Sequence, residues 1–188
     1  MTFRLRRVLD VHAGFSKRHE DLVLDGVYED GAVVKVRVIA YTIDGRTADA
    51  QQQAEMAQAY ENPKPGDTFA IPFDSRNAAA YSFVQQGPAT IAFSSTLHDA
   101  AHGSGTFTYD QTNSVVGYTY QPNVLPPHAS WGEITDRRAQ VLPGYWAVTA
   151  ETQNYKGSYG PFAGAATEEV DYSGFRRFAS RQSAIDAL

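Results

Sequence analysis

LVLDGVYEDGAVVKVRVIAYTI, residues 22–43, writes two strands around a turn. Leu22 and Leu24 before the turn, and Val34, Val36 and Val38 after it, recur at every second position. That period puts one set of side chains on each face of a pleated sheet. Asp30-Gly31 stands between the two runs, and an Asp-Gly pair readily supplies the positive φ angles of a tight hairpin connection. The fold class is therefore mainly β, with strands over residues 21–29 and 32–43 and a further turn at Asp44-Gly45.

Working outward, residues 3–11 fit a strand, although Leu5, Val8, Leu9 and Val11 would also suit a short helix. After the hairpin the character changes. Residues 48–60 are rich in Ala, Gln, Glu and Met, which favour helix, and Thr47 is the expected N-cap. Asn62-Pro63-Lys64-Pro65-Gly66 ends that helix, because proline lacks a donor and constrains its predecessor. Further strands are expected over residues 68–72, 81–85, 90–96, 105–110, 115–121, 129–141, 145–155 and 166–178. Gly87-Pro88 and Thr112-Asn113 supply turns, residues 74–80 suit a short helical turn, and residues 122–127 read as an irregular connection. Ser180 caps a last helical turn that runs to Leu188.

A chain of 188 residues without a repeat or a linker is most simply one domain, residues 1–188. About nine or ten strands with one helix call for a sandwich, a closed barrel or a strongly curved open sheet. A helix inserted between early strands decides among these, since it is best used to cover an open face. The expected architecture is a curved antiparallel sheet forming an incomplete β-barrel with a helical lid. Met56 and Tyr60, spaced four apart, could plug the hollow or pack as ordinary core.

The order of strands and helix, the Asp25-Gly26-Val27-Tyr28 start of the hairpin, the Pro72-Phe73-Asp74 step and the closing Phe175-Arg176-Arg177-Phe178 resemble periplasmic outer-membrane lipoprotein-sorting proteins. That superfamily includes LolA, LolB and the sensor domain of RseB. The resemblance implies a half-barrel with a helical lid and an apolar cavity for acyl chains, and it brings no catalytic residues with it. This chain departs from the layout in lacking an obvious long first helix.

Composition narrows the function. A net charge of -5 and a pI near 5.5 speak against nucleic acid, whose binding draws on Lys and Arg. The apolar runs fall short of the ~20 residues that span a bilayer, so no transmembrane helix is expected. Without cysteine there is no disulfide and no thiolate metal site. Arg4, Arg6 and Arg7 look like the basic end of a secretion signal, but Asp10 and His12 interrupt the apolar stretch that should follow. The expected location is periplasmic if a signal segment was removed and cytoplasmic otherwise.

His98, Asp99 and His102 form the densest polar group, and an i, i+4 pair of histidines would ligate a divalent metal if it lay on one helix face. The HExxH glutamate is missing, and Gly103 and Gly105 favour a loop, where the histidines would bond backbone instead. Ser104 lacks the flanking glycines of a nucleophile elbow. Glu20-Asp21, Glu29-Asp30 and Glu168-Glu169 read as solvated edges and turns, since strand neighbours point to opposite faces. Arg137-Arg138 and Arg176-Arg177 are split in the same way.

The aromatic residues are the better lead. Phe107 and Tyr109, like Tyr118 and Tyr120, share a strand face, so aromatic rows can close a core or wall a pocket. The candidate ligand-binding set is Met56, Tyr60, Phe83, Phe93, Phe107, Tyr109, Tyr118, Tyr120, Trp131 and Trp146. The leading expectation is a non-enzymatic binding protein, without cofactor, that encloses an apolar small molecule, lipid or lipidated polypeptide. Its rivals are a metal-dependent enzyme centred on His98, Asp99 and His102, and a structural or adaptor module whose sheet edge pairs with a partner.

Overall fold

The computed structural model describes residues 1–64 and 68–188, with Tyr159 described by its backbone alone. Among these residues eleven strands, about 60% of the chain, form one curved antiparallel sheet. From its middle, β1 (Thr2–Ala13), β2 (Ser16–Glu29), β3 (Ala32–Ile43) and the two-residue β4 (Arg46–Thr47) step to one edge. From the other edge, β5 (Tyr81–Gly87), β6 (Thr90–Ser95), β7 (Gly103–Tyr109), β8 (Val115–Pro122), β9 (Ala129–Leu142), β10 (Tyr145–Tyr159) and β11 (Phe162–Arg176) step back until β11 pairs with β1. β4 and β5 are the free edges, so the barrel is not closed.

This order forces a lid. Consecutive strands β4 and β5 lie at opposite edges, and a flat sheet of this size would be ~48 Å wide at about 4.8 Å per strand spacing. The chain between Thr47 and Tyr81 must therefore cross a face of the sheet, here called the inner face. The first part of the crossing is α1 (Ala50–Glu61), and the second part contains Phe69, Phe73 and a 3-10 turn at Ala78–Ala80. A last helix, α2 (Arg181–Asp186), follows β11 and is capped by Ser180, which exchanges hydrogen bonds with Ser183.

Pairing register shows which side chains share the inner face. One row runs Tyr41, Leu22, Arg7, Val170, Glu151, Asp136, Tyr118, Phe107, Ile91 across β3, β2, β1, β11, β10, β9, β8, β7 and β6. The next row runs Glu20, Leu9, Glu168, Gln153, Ile134, Tyr120, Gly105, Phe93, Phe83. Apolar residues at the two ends of these rows build two separate cores. The first gathers Phe3, Leu5, Leu22, Leu24, Val36 and Val170 under α1. The second gathers Tyr81, Phe93, Phe107, Tyr118, Tyr120 and Ile134 under Phe69 and Phe73. Leu22 and Leu24 are fully buried, each contributing about 1.5–3 kcal/mol by leaving water.

The Asp30-Gly31 turn forms as its residues dictate: both have positive φ, 49° and 92°, and Glu29 pairs with Ala32 directly beyond them. Asp44-Gly45 repeats the device with φ of 51° and 75°. Phe3 and Gly26 are cross-strand partners, and the Phe3 ring lies over Gly26, where a Cβ would collide with it.

Three local expectations change. Thr47 is not the helix cap, because it is paired with Thr42 in β4. Asp49 caps α1, accepting from Gln52 N at 2.9 Å while Gln52 Oε1 accepts from Asp49 N. A carboxylate suits the positive end of a helix better than a hydroxyl does. Residues 68–72 do not form a strand; Ala70 N donates to Ala101 O at 2.7 Å in place of a strand ladder, and Phe69 stacks on the sheet at Tyr120. The helix ends at Glu61 with Asn62 as C-cap, as Asn62-Pro63 suggested, while Pro65 and Gly66 lie outside the described residues. β2 also begins earlier than expected, at Ser16, because β1 and β2 pair as far as Ala13 and Ser16.

Candidate ligand site on the inner face of the sheet

Two covers lie over the two cores, and they are built differently. α1 is tied at both ends and packed lightly between them. Ala48 N donates to Tyr41 O at 2.8 Å, and Glu61 accepts from Val36 N at 2.9 Å and pairs with Lys35 at 3.0 Å. Only Met56, Ala57 and Tyr60 reach the core beneath, and no residue of the helix is fully buried. Burial pushes the Tyr60 phenol up to about 12.

The second cover is aromatic. Phe69 stacks on Tyr120 with centroids 3.6 Å apart, and Phe73 meets Phe107 and Tyr118 edge-on, each at 5.5 Å. Tyr81 donates to Ala70 O at 2.6 Å, anchoring the segment to β5. Arg138 lies 5.0 Å above the Phe73 ring and donates to Val115 O and Trp146 O at 3.3 and 3.4 Å. Offset and edge-on aromatic pairs of this sort contribute about 0.5–1.5 kcal/mol each beyond burial.

Between the two cores the same face carries a polar belt on β1, β2, β9, β10 and β11. On one side Arg7 Nη2 meets Glu20 Oε2 at 2.5 Å, with Glu168 at 3.9 Å from Nη1. Glu20 also accepts from Arg18 Nε at 2.6 Å and from the Tyr41 hydroxyl at 2.9 Å. Desolvation raises the Glu168 pKa, and Arg7 pulls it part of the way back. On the other side Gln153 donates to Glu151 at 2.6 Å and accepts from Tyr155 at 3.1 Å. Asp136 follows in the row, 2% exposed, flanked in register by Glu151 and Tyr118. Burial first and the Glu151 charge second raise its pKa to about 8, against weaker opposition from Tyr118 and Arg138. Its Oδ1 has no hydrogen-bond partner among the described residues.

The candidate residues therefore divide. Met56 and Tyr60 belong to the first cover, and Phe93, Phe107, Tyr118 and Tyr120 to the second core. Tyr109 packs at the margin of that core, its hydroxyl donating to Pro88 O at 3.0 Å. Phe83 sits at the β5 edge, 43% exposed, near Tyr81 and Phe107. Trp131 stands on the opposite face, because its neighbour Gly132 is the one in phase with Ile134 and Asp136, and Lys156 Nζ lies 5.2 Å over its ring. Trp146 is half-buried near the start of β10.

His98, Asp99 and His102 lie in the loop between β6 and β7. Asp99 Oδ1 accepts from Ala101 N, His102 N and His102 Nδ1 at 3.0, 2.9 and 2.7 Å. That pattern closes the loop on itself. Among the described residues no three His, Asp or Glu side chains stand close enough together to share a cation.

The belt is what the sequence reading passed over. Glu20-Asp21 and Glu168-Glu169 are not simply solvated pairs: alternation sends Asp21 and Glu169 outward but Glu20 and Glu168 inward. The available signal was phase, since Glu20 is in step with Leu22 and Leu24, and Asp136 with Ile134.

Comparison with protein-family models, with curated proteins and with solved structures finds no match to this chain. No helix among the described residues is long and apolar enough to cross a membrane.

Proposed function

We propose that this protein is a non-catalytic binding protein that holds a single apolar chain, such as the acyl chain of a lipid or lipidated polypeptide, against the inner face of its open sheet. The observation that carries this reading is the construction of α1. It is a helix fastened at its two ends but seated through three side chains, none fully buried, over a core of Leu5, Leu22, Leu24 and Val170. A cover of that kind can lift without breaking the sheet, and the space taken by Met56 and Tyr60 then suits hydrocarbon. Each methylene that replaces them adds about 0.8 kcal/mol of burial. The topology supports the same reading, because the crossing chain is obliged to lie on the face it would guard. The likeness in layout to lipoprotein-sorting proteins points to the same ligand class.

The test is native mass spectrometry of the protein as purified and again after delipidation and incubation with dodecanol. A one-to-one adduct that is lost on delipidation and regained with the alcohol is expected. A chain that stays free of adduct in both states, under conditions that preserve adducts of a known lipid carrier, contradicts the proposal.

A further inference from the structure

The inner-face belt is balanced on one side and unbalanced on the other. Arg7 stands between Glu20 and Glu168, and Arg18 adds a second cation to Glu20. Asp136 and Glu151 are neighbours across β9 and β10 with no ion-pair partner of their own among the described residues. Arg138, two residues along β9, spends its guanidinium on two backbone carbonyls and the Phe73 ring. Asp136 is almost wholly out of water, yet its Oδ1 accepts nothing. A buried acceptor left open in this way costs about 1–3 kcal/mol, so it marks a place where a donor fits.

We propose that Asp136 and Glu151 receive the head of a protonated amine whose apolar tail lies along the inner face, an inference that rests on the apolar-chain reading above and names its ligand class. The surroundings suit an ammonium group. Tyr118 stands beside Asp136 in register and Tyr120 beside Ile134, and aromatic rings attract cations that have left water. Glu151 is half-buried and Asp136 almost wholly so, which makes Asp136 the deeper of the two carboxyls. The cation exchanges for a proton. Burial first and the Glu151 charge second raise the Asp136 pKa, which favours the protonated carboxyl in the empty protein. The incoming ammonium makes ionisation favourable, and that proton leaves to solvent. A metal ion is a poorer fit, since among the described residues no third carboxylate or imidazole groups with the pair.

The experiment is calorimetric titration of the intact protein with dodecylamine and with dodecanol, below their micelle concentrations, at neutral pH and in two buffers of different ionisation heat. The amine is expected to bind about tenfold or more tightly than the alcohol, the range of one charge-assisted hydrogen bond. Its heat should differ between buffers, reporting a released proton, while the heat of the alcohol should not. In Asp136→Asn and in Glu151→Gln the ratio of the two affinities should fall toward one. Equal affinities in the parent, or a preference that survives in both variants, overturn the amine inference and leave the apolar-chain reading standing. Failure of both ligands to bind overturns the two together.

Discussion

The two halves of the sheet solve one problem, how to close an open inner face, with different chemistry. The half formed by β1, β2, β3 and β11 has an aliphatic core, a helical cover held at its ends, and charges that are matched: Arg7 and Arg18 against Glu20 and Glu168. The half formed by β5, β6, β7, β8 and β9 has an aromatic core, an irregular cover stacked ring on ring, and a buried carboxyl whose nearest charged neighbour in the row is another carboxyl. The first half matches its inward carboxylates with arginines, although Arg7 Nε itself has no hydrogen-bond partner among the described residues. The second has no ion pair for Asp136 or Glu151 among the described residues, and the amine proposal rests on that difference.

The largest effect should come from removing charge on each side. Arg7→Met leaves Glu168 without its cation and Glu20 with Arg18 alone, and should cost about 3–5 kcal/mol in urea unfolding. Asp136→Asn removes the uncompensated acid instead, and should be neutral or stabilising by ~1 kcal/mol at pH 8. Equal losses in the two variants would erase the distinction between the halves.

A smaller effect follows from pH. A carboxyl whose folded pKa lies above its unfolded value holds stability that is complete below 3.8 and is lost as pH rises through about 8. The groups that set this value are Glu151 on β10, Tyr118 on β8 and Arg138 on β9 itself. Asparagine cannot titrate, so the melting temperature of Asp136→Asn relative to the parent should be lowest at pH 4, climb as the pH rises and level off above about 8. A flat difference across that range would place the Asp136 pKa in the ordinary carboxylate range.

The two covers should also respond separately. Asp49→Ala removes the α1 cap at a cost of about 1 kcal/mol. Hydrogen exchange should then quicken across Ala50–Glu61 and stay unchanged around Phe69 and Phe73, whose anchors are Tyr81 and Tyr120. Coupled loosening of both would mean that the covers act as one lid.

How far this could be seen beforehand depended on whether the deciding force was local. Asp30-Gly31 and the period-two runs around it set a hairpin by themselves, and Ser180 marks its helix through a cap that involves only near neighbours. The open curved sheet with a helix on it was legible for the same reason. Residues 68–72 misled because Phe69 and Ile71 alternate with Thr68 and Ala70 as a strand would, while the neighbours that decide their fate, Tyr120 and Ala101, lie far along the chain. Thr47 lost the cap to Asp49 because its own backbone was claimed by Thr42. The belt was hidden by the habit of reading each charged pair as a unit. Glu20 and Glu168 point inward, and it takes the register of five strands to bring them into line with Arg7, Glu151 and Asp136.

An apolar chain bound beneath α1 would touch Met56, so a methionine methyl group reports its arrival. The protein has two methionines, and Met56 is the one packed on the first core, whereas Met1 holds the Tyr28 carbonyl through its terminal amine. With carbon-13 in the methionine methyl groups, titration with dodecanol should move the Met56 resonance to saturation at one equivalent and leave Met1 in place. A Met56 resonance that stays fixed, or moves no more than Met1, contradicts the account.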